Sequence, residues 1–204
     1  MPDDRAPEAS DAADDLHEAS EVEKADVELG AKLASQRGHP VAEAAGKASK
    51  FGDQGPLYAN SAGVLIIGLV SRDRRLARSG VSMLAAVGAA DLSKRAAKAL
   101  VRRTRPHVLL DQQRYESEAG GSERKPEQSF PSGHTACSVA AARALSRDYP
   151  KAGVAAGMGA VAIGIGRIAK GAHWPLDVIG GAIIGLVAEA ISDAVIRLAI
   201  SRPE

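Results

Sequence analysis

Residues 127–145, EQSFPSGHTACSVAAARAL, set a proline, a small hydroxyl, a glycine and an imidazole at the mouth of an apolar, alanine-rich run. A helix N-terminus has unpaired backbone N–H groups and a partial positive charge, so it is a natural anion site. Pro131 suits the first turn, where its missing N–H is not needed. Ser132 can donate a hydroxyl, Gly133 lets a bound group approach the backbone, and His134 would stand beside the anion, able to give or take a proton near neutral pH. Alone, this tetrapeptide is equally an ordinary helix start with a half-exposed histidine. The anion reading needs partners elsewhere in the chain.

Working outward, the run is one of five apolar segments broken by charged connectors: 56–70, 80–90, 131–142, 152–166 and 178 to about 196, the last interrupted by Glu189 and Asp193. A membrane span wants ~20 apolar residues, and each clean stretch is shorter, so singly each could be a core helix. Three features favour a membrane. VLIIGLV and GAIIGLV are apolar all round. Arg and Lys at segment ends can snorkel and lengthen the effective span. Small residues at four-residue spacing, Gly153/Gly157 and Gly181/Gly185, let membrane helices approach closely, although an Ala/Gly-rich composition also produces such pairs. The expected fold is all-α, a multi-helix bundle that is transmembrane with about five spans.

Before the bundle, residues 1–19 read as a disordered acidic tail, and 20–52 as an amphipathic helical segment. Within it, Val22, Ala25, Leu29 and Leu33 recur at helical spacing until RGHP stops the helix. The protein body or a membrane surface could take that apolar face. A second short helix is expected over 41–51, before the GDQGP turn. The remainder, 53–204, is the expected membrane-embedded core. No basic region followed by an apolar core opens the chain, so a cleaved secretory signal is not expected.

The formal charge of +1 hides an asymmetry. Residues 1–28 hold eleven acids and two bases, leaving 24 bases against 14 acids in the rest. The basic body suits anionic partners such as lipid head groups or phosphorylated substrates. Nucleic acid is not expected, because there are only six aromatic residues and no stacking pattern or zinc spacing. Cys137, the single cysteine, lies one turn after His134; it reads as a small buried side chain rather than a nucleophile.

Two further clusters supply the partners. In KALVRRTRP, Lys98 and Arg105 are seven residues apart, which on a helix puts both on one face with Arg102 close to it; Pro106 would end that helix. In GRIAKGAHWPLDVIGG, His173 and Asp177 are four apart, at the start of a helix opened by Pro175. That spacing lets the carboxylate accept from one ring nitrogen and leaves the other free as a nucleophile. Arg167, read as a residue of the preceding loop, has a fork suited to phosphate oxygens. If the five segments cross alternately, all three clusters meet at one face of the bundle.

With these motifs in hand, the sequence resembles the type 2 phosphatidic acid phosphatase superfamily, which also contains vanadium haloperoxidases and bacterial class A acid phosphatases. The family's Lys-x6-Arg-Pro, Pro-Ser-Gly-His and Ser-Arg-x5-His-x3-Asp read here as Lys98 to Pro106, Pro131 to His134, and Arg167 to Asp177. Gly166 stands where the family usually has serine, which puts one phosphate-side hydroxyl in doubt. The resemblance implies that His173 attacks phosphorus to form a phosphohistidine, Asp177 orients it, and His134 protonates the leaving oxygen. It also implies that Lys98, Arg105, Arg167, Ser132 and the Gly133 N–H hold the phosphoryl oxygens. Three fixed cations can stabilise such a transition state without a metal, so no metal and no cofactor are expected.

The expected function is an integral membrane lipid phosphatase acting on a lipid phosphomonoester or diphosphate, such as undecaprenyl diphosphate, phosphatidate or phosphatidylglycerol phosphate. A soluble acid phosphatase or vanadate-dependent haloperoxidase is the alternative within the superfamily. A non-catalytic lipid-binding scaffold is the alternative outside it. The bases of SRDRRLARSG place that loop in the cytoplasm, so the expected setting is a bacterial inner membrane with the site on its periplasmic face. The same rule would export an acidic N-terminus without a signal. Oligomeric state is left open.

Overall fold

The protein, as a computed structural model, is described over residues 16, 17 and 19–200; the acidic tail read over 1–19 falls almost wholly outside these. Helix α1 runs Glu21–Ala34, with the Ser20 hydroxyl accepting from Glu23 N–H at 3.2 Å, acids in the first turn and Lys32 in the last. Helix α2, Pro40–Ala48, opens on its proline and continues into a 3₁₀ turn, Ser49–Gly52. Five long helices follow: α3 Gln54–Val70, α4 Arg74–Lys98, α6 Gly133–Asp148, α7 Pro150–Ala169 and α8 Pro175–Ile200. Between α4 and α6 the chain forms β1, Val101–Arg103, antiparallel to β2, Ser117–Ala119, with the short helix α5, Pro106–Gln112, between them.

The fold is all-α apart from that two-stranded ribbon. The five apolar segments correspond to the five long helices, with one change of scale: 80–90 is only the middle of α4, whose charged ends are also helical. Asp73 starts α4 by accepting from Arg75 N–H at 2.9 Å and Leu76 N–H at 3.0 Å. Among the described residues two helices are long and apolar enough to cross a membrane, Pro150–Ala169 and Pro175–Ala199, while Gln54–Val70 is apolar but shorter.

Helix α6 sits at the centre, packed on α4, α7 and α8. Its inward side is small: Cys137, Ala140, Ala141 and Ala144 meet Met83, Val87 and Ala90 of α4 and Ala188 of α8. Small side chains bring backbones close. A Cβ at Gly181 or Gly185 would lie 2.4 Å from the carbonyl of Ser132 or Ala136 respectively, so this glycine pair is the α6–α8 contact itself. The other pair behaves differently: Gly153 abuts Ser146, whereas Gly157 faces open space. The acids that interrupt the last apolar run are paired, since Arg147 donates to Glu189 at 3.1 Å and stands 2.9 Å from Asp193.

Helix α1 docks on the body through Asp26, Val27, Gly30 and Ala34. The apolar stripe, for which the sequence left the body or a membrane surface as partner, lies outward from the body, with Val22 66%, Leu29 50% and Leu33 43% exposed. The buried face is mixed: Asp26 meets the charged site, while Val27 packs on Tyr115 and the indole of Trp174.

Candidate functional site

His173 lies in the turn between α7 and α8, made possible by Gly171 at φ 69°. Its ring is buried, and Nδ1 lies 2.8 Å from the Ser129 carbonyl but 3.7 Å from Asp177 Oδ2. The backbone carbonyl, not the carboxylate, is therefore the close acceptor for the Nδ1 proton, leaving the lone pair on Nε2. Burial lowers the His173 pKa to about 4; Asp177 opposes the shift and Arg105 and Arg167 add to it. The imidazole is therefore held neutral at physiological pH.

Asp177, in the first turn of α8, is fully buried and has donors on both oxygens. Arg103 Nη1 donates to Oδ1 at 2.8 Å, and the Trp174 N–H at 2.8 Å and the Ser129 hydroxyl donate to Oδ2. Its backbone carbonyl accepts from Ser132 N–H at 2.9 Å, which locks the start of α6 to the start of α8.

The cations converge on the same end of the bundle. Lys98 Nζ donates to the Gln128 carbonyl at 2.6 Å and Arg105 Nη2 to the same oxygen at 3.4 Å. The Nε atoms of Arg105 and Arg167 are buried without a protein hydrogen-bond partner. Burial, then the neighbouring Arg167, lowers the Arg105 pKa. Mutual repulsion of guanidiniums in a buried site is what a bound anion would relieve. Ser132 is the N-cap residue of α6, its Oγ accepting from the Thr135 hydroxyl at 3.0 Å rather than from a backbone N–H, and Gly133 is the first helical residue. His134 Nε2 lies 2.5 Å from Asp53 Oδ1, across from the start of α3.

The local geometry differs from the sequence reading at three points. Lys98 and Arg105 do not share a helix face: α4 ends at Lys98, the chain extends through β1, and Pro106 opens α5 rather than closing a helix. Arg167 lies in the last turn of α7, not in a loop. Pro131 stands before the cap, since α6 begins at Gly133. Gly166 faces α2, where a Cβ would meet the Ala45 carbonyl at 2.5 Å, so the missing hydroxyl makes room for helix packing. Cys137 is buried in the core.

Four residues of the site escaped the sequence reading: Ser129, Arg103, Asp26 and Asp53. Arg103 was legible in principle. In an extended chain alternate residues share a side, so VRRTRP read as a strand sends Arg103 and Arg105 one way and Arg102 the other. Arg102 indeed pairs outward, 3.6 Å from Glu116. Burial works against the Arg103 charge, but Asp177, Tyr115 and Asp26 outweigh it and hold its pKa up. Asp26 and Asp53 gave no local signal, because each meets the site only through tertiary packing.

Comparison with known proteins identifies the family and the fold. The PAP2 superfamily model matches residues 79–197. A non-specific acid phosphatase of Salmonella typhi is 37% identical over 91 residues, 45% of this chain and 36% of that relative, so the match spans little more than a third of the relative's length. The crystal structure of LpxE from Aquifex aeolicus is similar with a TM-score of 0.59 and 25% identity, covering 81% of this chain and 92% of that one. That of a transmembrane PAP2 type phosphatidylglycerolphosphate phosphatase from Bacillus subtilis has a TM-score of 0.61 and 21% identity over 95% and 93% of the two chains.

Proposed function

The chain belongs to the PAP2 superfamily, and from that premise we propose that it is a membrane-embedded lipid phosphatase that works through a phosphohistidine on His173. The observation that carries the reading is the set of buried cations, Lys98, Arg105 and Arg167, around a neutral imidazole whose Nδ1 is occupied. Nε2 of His173 forms the N–P bond as the bond to the lipid oxygen breaks, and that oxygen takes its proton from His134. Water then attacks phosphorus, the N–P electron pair returns to Nε2, and the water's proton goes to His134. Asp177 orients the turn that carries His173. Lys98, Arg105, Arg167, the Ser132 hydroxyl and the Gly133 N–H stabilise the equatorial oxygens, so positioning and charge supply the catalysis without a metal.

The membrane setting is supported by outward apolar faces. Val154, Met158, Val161 and Ile165 on α7 and Ile179, Ile183, Val187 and Ile191 on α8 are each more than half exposed, a surface that a soluble monomer would have to cover. One solved structure points the same way, since a transmembrane PAP2 type phosphatase shares the fold. The core 53–204 would then sit in a bacterial inner membrane with the site at the periplasmic end. The second reading is an acid phosphatase not embedded in a membrane, since the chain also resembles a protein named as a non-specific acid phosphatase. Carbonate washing separates the two: release of active protein into the soluble fraction would select the acid phosphatase reading.

The function is tested by phosphate release from undecaprenyl diphosphate, phosphatidate and phosphatidylglycerol phosphate by detergent-purified protein in EDTA. Turnover that vanadate inhibits, with an acid-labile phosphoenzyme lost in His173→Ala, is expected. Loss of turnover in EDTA with recovery in Mg²⁺ would overturn the mechanism.

A further inference from the structure

We propose that Asp26, on helix α1, is a positioning residue of the phosphoryl-transfer site that acts through Arg103 on Asp177; the inference rests on the roles given to His173 and Asp177 above. Helix α1 precedes the stretch that matches the superfamily, residues 79–197, so nothing in that match assigns it a part in the chemistry. The structure ties it in directly. Arg103 is buried, and its two terminal nitrogens are divided between two carboxylates: Nη1 donates to Asp177 at 2.8 Å and Nη2 to Asp26 at 2.7 Å. The other Asp26 oxygen accepts from Leu176 N–H at 2.8 Å. One carboxylate thus holds both the partner of Asp177 and the helical turn from which Asp177 projects.

Docking alone does not call for this arrangement. Burying a carboxylate is costly, and an apolar residue would attach α1 at lower cost. What the carboxylate adds is direction. A guanidinium is a rigid planar fork, and with Nη2 held by Asp26 its plane, and so the Nη1 donor facing Asp177, is set. The rest of the face agrees with that role. Tyr115 accepts from Arg103 Nε at 3.4 Å and donates to Glu23 on α1. Arg103 also lies 5.7 Å from the centre of the Trp174 ring. The same indole abuts Gly30, where a Cβ would fall 2.4 Å from its edge, while the Trp174 N–H donates to Asp177. The buried polar ties from α1 centre on Arg103, its partner Tyr115 and the turn 174–177, and Val27 adds an apolar contact with Tyr115 and Trp174.

Asp26→Asn keeps an oxygen for Leu176 N–H and turns an amino group toward the guanidinium. The expected result is a kcat per site lower by about 10- to 100-fold, the range seen when outer partners of an oriented histidine are removed. KM for short-chain phosphatidate should stay within about threefold, because the phosphate-holding groups are untouched. Intact pockets are counted by calorimetric titration with orthovanadate, and their number per chain should match wild type. Asp26→Ser, whose hydroxyl can still accept from Leu176 N–H and which leaves room for water, guards against a folding failure and should show the same split. Arg37→Ala cuts a different tie, to Asp111, and should leave kcat per site unchanged. A kcat per vanadate site within about twofold of wild type in both Asp26 variants would overturn the inference and leave α1 a structural attachment. A wild-type protein that neither binds vanadate nor releases phosphate would instead overturn the reading of the site, and this inference with it.

Discussion

Asp177→Asn is the most informative single substitution, because the structure makes its effects on stability and on rate separable. The carboxylate accepts from Arg103, the Ser129 hydroxyl and the Trp174 N–H, and it is fully buried. An asparagine can keep its oxygen on Arg103, but its amino group then faces Ser129, whose hydroxyl can rotate to accept, and the Trp174 N–H, which cannot. Breaking a buried ion pair typically costs about 3–5 kcal/mol, and a stranded N–H is part of that loss. For a chain of this size that corresponds to a melting point lower by about 10 °C. The rate should suffer less than in a serine-protease triad, where replacing the aspartate costs about 10⁴-fold through the wrong imidazole tautomer. Here the Nδ1 proton is held by the Ser129 backbone carbonyl at 2.8 Å, which the substitution does not remove. The expected loss in kcat per folded site is about 10- to 100-fold, the scale of lost outer-partner orientation. The assay pairs thermal unfolding in detergent with phosphate release normalised to vanadate-binding sites. A variant that melts like wild type yet loses about 10⁴-fold would refute the assignment of Ser129 as the acceptor and return that role to Asp177.

Three other outcomes follow from the same geometry. The His173 ring itself should titrate near pH 4, followed by NMR of the labelled imidazole, because burial lowers its pKa to about 4; a midpoint at the ordinary 6.5 would mean a solvated imidazole. Since the folded pKa lies below the unfolded one, unfolding takes up a proton between those values. This part of the stability is present above pH 6.5 and is lost as pH falls toward 4, about 3 kcal/mol in all, so the melting point should decline across that window. His134→Ala should slow release of a lipid alkoxide by about 10²- to 10⁴-fold but affect p-nitrophenyl phosphate much less, since that leaving group needs little protonation; equal losses on both substrates would remove His134 from the acid role. Gly185→Ala places a Cβ 2.4 Å from the Ala136 carbonyl and should lower stability by about 1–3 kcal/mol through separation of α6 and α8, read by thermal unfolding.

The sequence by itself determined the helical class, the five long segments and the membership of the superfamily. Each depends on information carried along the chain: runs of apolar residues, prolines at helix starts, and three motifs with internal spacing. Those motifs name the residues that would hold and transfer a phosphoryl group without any need to know how they meet. Only the tertiary structure decided the supports. Lys98 and Arg105 reach the same carbonyl from a helix end and an extended segment, where helical spacing had suggested a shared face. The acceptor for His173 is a backbone carbonyl, and every residue has one, so no pattern of side chains could single out Ser129. The apolar stripe of α1 left its partner open between the body and a membrane surface; the fold turns Asp26 and Val27 to the body, toward a buried arginine and the Tyr115–Trp174 cluster, and leaves the stripe outward. Asp26 and Asp53 look like ordinary acids of a polar segment and a turn. They become part of the site only when folding brings them to within 2.7 Å of Arg103 and 2.5 Å of His134, contacts that local sequence does not encode.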